Sequence, residues 1–329
     1  MPSPVIPGFS AMLPVDALAP GAEIGGVRVV PNGGLVFKVR GNGTSPTFYD
    51  NYPNQFSTGG ATDVLYPSIA SALLMCKAGR GDYIHVLPGH TESVATAAAW
   101  TFVSDVTIVG IGSGNRRPTV TFTAATATLT PNAANVFIEN IRFKCGGTGT
   151  GGLVVAAPFT ITGEGTTFSQ CSFELGADNS NKCTDFCNVN ADNVTFAYCD
   201  ITSTVQATAP TSCITLTGAN GFRFYNNRVK TALSSASVGV IRNTTTASGS
   251  IRILDNDLQQ WKSDSTSCIS FAANSATTGE IKRNLCRLMT DGSVAPITLS
   301  GTGVDMSLLD NFVVNNANER GLVVGTASA

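Results

Sequence analysis

Short alternating runs of apolar and polar residues dominate the chain, and one of them, "NVTFAYCDIT" (193–202), sets a cysteine among β-branched and aromatic positions. Such alternation over a few residues, bounded by Gly, Ser, Thr and Asn, predicts half-buried strands rather than helices. Seven segments share the pattern apolar-x-x-(Asn/Cys)-x-x: "FIENIR" from 137, "FSQCSF" from 168, "FAYCDI" from 196, "FYNNRV" from 224, "ILDNDL" from 253, "IKRNLC" from 281 and "LLDNFV" from 308. Their fourth positions are Asn140, Cys171, Cys199, Asn227, Asn256, Asn284 and Asn311, separated by 31, 28, 28, 29, 28 and 27 residues. A second strand keeps the same rhythm in "CITLTG" (213–218), "CISFAA" (268–273), "PITLSG" (296–301) and "GLVVGT" (321–326).

Strands that recur at a fixed period without intervening helices predict a solenoid in which each coil stacks about 4.8 Å from the last. The spacing implies roughly nine coils. One helix is predicted, over 66–78, where Ile69, Leu73 and Cys76 fall at helical spacing before Gly79 and Gly81.

That amphipathic segment is followed by "GDYIHVLPGHTE" (81–92) and "VTIVGIG" (106–112). The series resembles the opening coil of right-handed parallel β-helix proteins, the superfamily of pectate-lyase-like enzymes and many bacteriophage tailspikes, and the resemblance covers roughly residues 62–329. It implies an all-β, right-handed single-stranded parallel β-helix with three strands per coil and a helix covering its N-terminal end. It also implies that the repeated Asn sits at a tight bend, where tolerance of left-handed backbone and a stacking amide are useful. Cys171 and Cys199 then occupy the asparagine column as small inward-facing residues. On adjacent coils their Cα atoms fall about 5 Å apart, inside the disulfide range. Two thiols in contact are the expectation, and an oxidised pair the alternative.

Residues 1–60 break the rhythm. They contain Pro2, Pro4, Pro7, Pro14, Pro20 and Pro31, and a predicted hairpin in "VRVVPNGGLVFKV" turning at Asn32-Gly33. An irregular stretch follows, carrying Phe48, Tyr49, Tyr52 and Phe56. The division is therefore an N-terminal arm over 1–60, suited to docking on a partner or to folding back as a lid, and a solenoid over 61–329.

Charge adds two columns. Asp255, Arg283 and Asp310 precede the bend position in the last three repeats, and Asp200, Arg228 and Asp257 follow it in three successive ones. Alternating sign on neighbouring coils predicts ion-pair ladders that hold register, with each Arg between two acids. The competing reading takes Asp200 and Asp257, about 10 Å apart, as the acid pair of a glycosidase, with Tyr198 and Trp261 as aromatic platforms. The clusters of the superfamily's enzymes are missing. There is no set of close Asp residues with His-Gly and Arg-x-Lys, and no Arg-x-Pro-x-x-Arg beside calcium-binding acids. "NRRPT" (115–119) reads as a turn. His85 lies in an alternating strand and His90 in a turn, neither in a triad arrangement. Cys183 and Cys187 lack further ligands at zinc spacing. No cofactor and no metal are expected.

Only 13% of the 329 residues are charged and the formal net charge is −2, which gives no electrostatic case for nucleic acid. No apolar run reaches the ~18–20 residues of a membrane span. No Lys or Arg precedes Arg28, so a secretory signal is not expected. With the arm before the solenoid, the missing catalytic clusters and a low-charge, Thr/Ser/Ala/Gly-rich composition that resembles phage appendage proteins, the resemblance implies a non-enzymatic structural protein of a tailed bacteriophage. It would be a homotrimeric capsid decoration protein, docked through the arm on the major capsid protein or another virion component. It would assemble in the host cytoplasm and be carried on the virion surface. A tailspike-like protein that binds or cleaves polysaccharide is the alternative.

Overall fold

The computed structural model describes residues 23–24, 27–28, 34–40, 65–146, 153–176, 182–203, 212–233, 239–244, 246–261, 267–271, 276–288, 295–300, 303–315 and 320–323. The described chain winds as a parallel β-solenoid with two long sheets, of eleven and ten strands, and a third sheet of six. Pairing is in register from coil to coil: Phe168 stands over Phe196, and Phe196 over Phe224, in the first sheet. Phe143, Phe173, Ile201, Val229 and Leu258 form the corresponding inward row of the second. The third sheet begins at Phe159–Ile161 and is extended by a parallel bridge from Leu129 to Phe159. About seven turns therefore carry all three sides, fewer than the nine implied by the repeat spacing, because the two long sheets run past the third.

Alternation puts every second side chain of a strand into the interior, as in Thr107–Gly110 and Thr119–Phe122. Parallel stacking places like residues against each other. The rings of Phe143 and Phe173 stack at 5.4 Å and 11°, and those of Phe168 and Phe196 at 5.0 Å and 11°. Phe159 meets Phe143 edge-on at 5.0 Å, filling the space between the faces.

At the N-terminal edge the structure departs from the expected hairpin. Val27–Arg28 pairs antiparallel with Glu23–Ile24, whereas Val36–Val39 runs parallel to Tyr83–Val86 inside the first sheet. Val36–Val39 thus joins the solenoid, with Phe37 and Val39 in the core, because parallel pairing buries its apolar face where a hairpin would leave it outside. The arm residues Phe48, Tyr49, Tyr52 and Phe56 lie outside the described residues.

The helix is Ile69–Leu73, shorter than the predicted 66–78. Ser68 caps it reciprocally with Ser71. Its end tightens when Met75 and Cys76 donate to the carbonyls of Ala72 and Leu73, three residues back instead of four. Ile69, Ala72 and Leu73 are buried, and the helix packs on Val36–Val39, Leu65–Tyr66 and Tyr83–Val86. Glu92 ties it to the next coil: one carboxylate oxygen accepts from the Ile69 N–H at 2.8 Å and lies 3.2 Å from His90 Nε2. The other oxygen accepts from Trp100 Nε1 at 3.2 Å. His90 is thus buried rather than solvated.

His85 is also buried, edge-on to Tyr83. Burial, aided by the Lys38 charge, pushes its pKa down to about 4. The unfolded chain, with a pKa near 6.5, binds the extra proton first. This contribution is therefore complete above pH 6.5 and is lost as pH falls toward 4. By pH 4.5 the cost is roughly 2–3 kcal/mol. Urea denaturation at pH 7 and 4.5 should show this loss in the wild type and a smaller one in His85→Phe; equal losses would remove His85 as the cause.

Candidate functional site

The corner between the first and second sheets is where the repeat concentrates its chemistry. From Asn140 onward, seven successive coils turn there through one residue in the left-handed region: Asn140, Gln170, Tyr198, Asn226, Asp255, Arg283 and Asp310, with φ between 51° and 57°. The following residue points inward, giving a buried column of Ile141, Cys171, Cys199, Asn227, Asn256, Asn284 and Asn311. This corrects the sequence reading in two respects. The left-handed position is one residue before the repeated Asn/Cys. Asn140 also belongs to that outer column, because Ile138 and Glu139 pair with Phe168 and Ser169 and so bring Asn140 opposite Gln170. Its side-chain amide donates to the Gly110 and Gly112 carbonyls at 2.7 and 2.8 Å. An alignment starting from Ile138 rather than Phe137 would have found this.

The four buried asparagines form a continuous ladder. The Asn227 side-chain amide donates to Asn256 Oδ1 at 3.1 Å, Asn256 to Asn284 at 2.8 Å and Asn284 to Asn311 at 2.9 Å. Each Oδ1 also accepts the backbone N–H of the preceding coil's column residue, from Cys199 onto Asn227 to Asn284 onto Asn311. The second amide proton reaches a strand carbonyl one coil back: Phe196, Phe224, Ile253 and Ile281 in turn. The thiols continue this last series. Cys199 Sγ lies 3.6 Å from the Phe168 carbonyl, and Cys171 Sγ 3.6 Å from that of Ile138. All nine cysteines are free and buried. Burial and the neighbouring Cys171 thiol push the Cys199 pKa well up, so it is no thiolate nucleophile.

On the outer surface each Arg engages the acid of the preceding coil rather than sitting evenly between two. Arg228 grips both oxygens of Asp200 at 3.0 Å, and Arg283 grips those of Asp255 at 2.6 and 2.7 Å. Asp257 and Asp310 act on these guanidinium groups through charge alone. Arg283 holds the Asp255 carboxyl below its usual pKa. Among the pairs missed in the sequence are Arg142 with Glu174 at 2.7 Å and Arg287 with Asp257 at 3.5 Å. Arg287 stands two residues beyond the position matched to Asp257 in the next coil.

The aromatic platforms are not together. Tyr198 is 59% exposed and meets Tyr225 edge-on at 5.9 Å, whereas the Trp261 ring is covered by Lys230 Nζ at 4.1 Å. Beside Tyr198 lies a groove of about 480 Å³ lined by Arg117, Gln170, Cys171, Tyr198 and Asp200. Arg117 belongs to "NRRPT", which reads in the sequence only as a turn, and Gln170 to the repeat segment "FSQCSF", where nothing sets it apart. Among the described residues no group of three or more His, Cys, Asp or Glu side chains is placed to hold a metal ion. No helix among them is long and apolar enough to cross a membrane. No protein-family model, curated protein or solved structure matches the chain.

Removing one amide from the middle of the ladder strands buried donors on both sides. Asn256→Ala should cost about 2–4 kcal/mol, and Asn256→Cys less, since thiols hold this position in two other coils. Chemical denaturation of the two variants checks the order; equal losses would show that the ladder adds nothing beyond volume.

Proposed function

We propose that this chain is a non-enzymatic structural component of a tailed bacteriophage, a homotrimeric decoration protein docked on the major capsid protein or another virion component through residues 1–60. The observation that carries this reading is the engagement of Asp200. Both of its oxygens accept from Arg228, so Asp200 is engaged in an inter-coil ion pair, which supports reading it as a contact that holds register rather than as an acid kept for a substrate. A rod stiffened by internal ladders and sparing in surface charge suits a particle appendage. The winding is taken as right-handed, as nearly all parallel crossovers are, with the helix Ile69–Leu73 covering its N-terminal end.

Quantitative mass spectrometry of purified particles tests this directly. A fixed ratio to the major capsid protein, in hundreds of copies, is the expected result; absence from particles would overturn it. Because Val36–Val39 belongs to the solenoid, the arm is best tested by replacing Phe48, Tyr49, Tyr52 and Phe56 with Ser. Particle binding should be lost with the thermal midpoint unchanged, and retained binding would remove the arm as the anchor.

The exposed Tyr198 and its groove favour a second reading, a tailspike-like protein that binds or cleaves polysaccharide with Asp200 and Asp257 as its acids. Under the structural reading, Asp200→Asn and Asp257→Asn leave any glycan turnover by the particle unchanged. Its abolition would establish the second.

A further inference from the structure

At the corner between the two long sheets, Asn140, Asn226, Asp255 and Asp310 take the left-handed position, as short polar side chains tolerate that backbone. Arg283 is an exception whose reason is visible in its grip on Asp255. Gln170 and Tyr198, on two consecutive coils, are exceptions at φ 51° and 55° with no ion-paired or hydrogen-bonded side-chain partner among the described residues, although the Tyr198 ring meets that of Tyr225 edge-on. Backbone strain of this kind persists where surrounding structure over-determines it, and it clusters at functional sites. These same two residues line the groove of about 480 Å³.

The groove holds one cationic side chain with a nitrogen that lacks an acceptor. Arg117 Nε is buried without a hydrogen-bond acceptor, and Arg117 makes no ion pair among the described residues. Gln170 adds an amide and Tyr198 a phenol, each able to donate, while the Asp200 charge is paired with Arg228. A carboxylate uses the donors of these groups and answers the Arg117 charge, which a neutral polyol does not. Arg matches a carboxylate with its planar fork, and exposed Tyr and Arg side chains are the usual anchors of protein interfaces.

We infer that this groove receives an acidic side chain from an extended segment of a partner protein, its carboxylate on Arg117 and Gln170 and its stem against the Tyr198 ring. The partner's identity rests on the assembly reading; the groove's chemistry does not, and is tested on the isolated chain. The full-length protein is titrated into a short fluorescent Glu-rich peptide at several salt concentrations, and separately into labelled uronic-acid and neutral oligosaccharides. Peptide binding should weaken as salt rises. It should fall about tenfold or more, ~1.4 kcal/mol, in each of Arg117→Gln and Tyr198→Asn. Tyr198→Asn should also raise the thermal midpoint, since Asn relieves the strained turn. That opposition of binding and stability is not expected of a merely structural tyrosine. Absence of peptide binding, or binding by both variants as tight as that of the wild type, overturns the inference. Tighter binding of the uronic-acid oligosaccharide overturns the protein partner in favour of a polysaccharide. Loss of the chain from particles leaves these results standing and sinks only the assembly reading.

Discussion

In-register parallel stacking is the constraint from which the rest follows. Every coil must repeat the backbone path of the one before it, because its N–H and C=O groups find their partners there. A corner solved once must then be solved at the same place in each coil. Between the first two sheets the solution is a left-handed residue followed by an inward side chain that satisfies the bend. Asparagine does this fully, with an oxygen for the previous coil's N–H and amide protons for a carbonyl and for the next amide. Such a ladder is cooperative, and its buried amides are costly to leave unpaired.

Where the column switches from Asn227 to Cys199 and Cys171, the interior also changes. These coils stack Phe168, Phe173 and Phe196 beside the corner, and a thiol fits that apolar packing while still pointing at the same carbonyl series. The cysteines are therefore explained by packing rather than by chemistry. The acid–Arg pairs outside do for register what the ladder does inside, more weakly because they are exposed.

A scaffold of this kind varies its surface without disturbing its core, since outward side chains alternate with inward ones along each strand. Function must then be sought where the surface departs from what the coil requires. The Tyr198 groove is such a departure: a bulky residue at a turn that favours Asn, beside an arginine whose buried nitrogen lacks an acceptor. The Asp200–Arg228 and Asp255–Arg283 pairs are what the coil does require, and they give no comparable sign of a ligand.

The repeat alone determined the solenoid class, the inward position of Cys171 and Cys199 and the columns that bring Asp200 near Arg228 and Asp255 near Arg283. It could do so because stacking turns a sequence period into spatial adjacency. It misplaced Asn140 by one residue, since a single position's slip leaves the apolar pattern of "FIENIR" nearly intact while reversing which side chains face inward. It also made a hairpin of Val27–Val39, because turn chemistry is local and the competing partner, Tyr83–Val86, lies far along the chain. Only the tertiary structure decided that Val36–Val39 joins the first sheet, that each of these Arg residues grips one acid rather than two, and that Arg117 and Tyr198 line one groove. These depend on how far each side chain reaches, or on a pairing outside the repeat such as Val36–Val39 with Tyr83–Val86, and periodicity, which fixes only the backbone columns, carries no information about them.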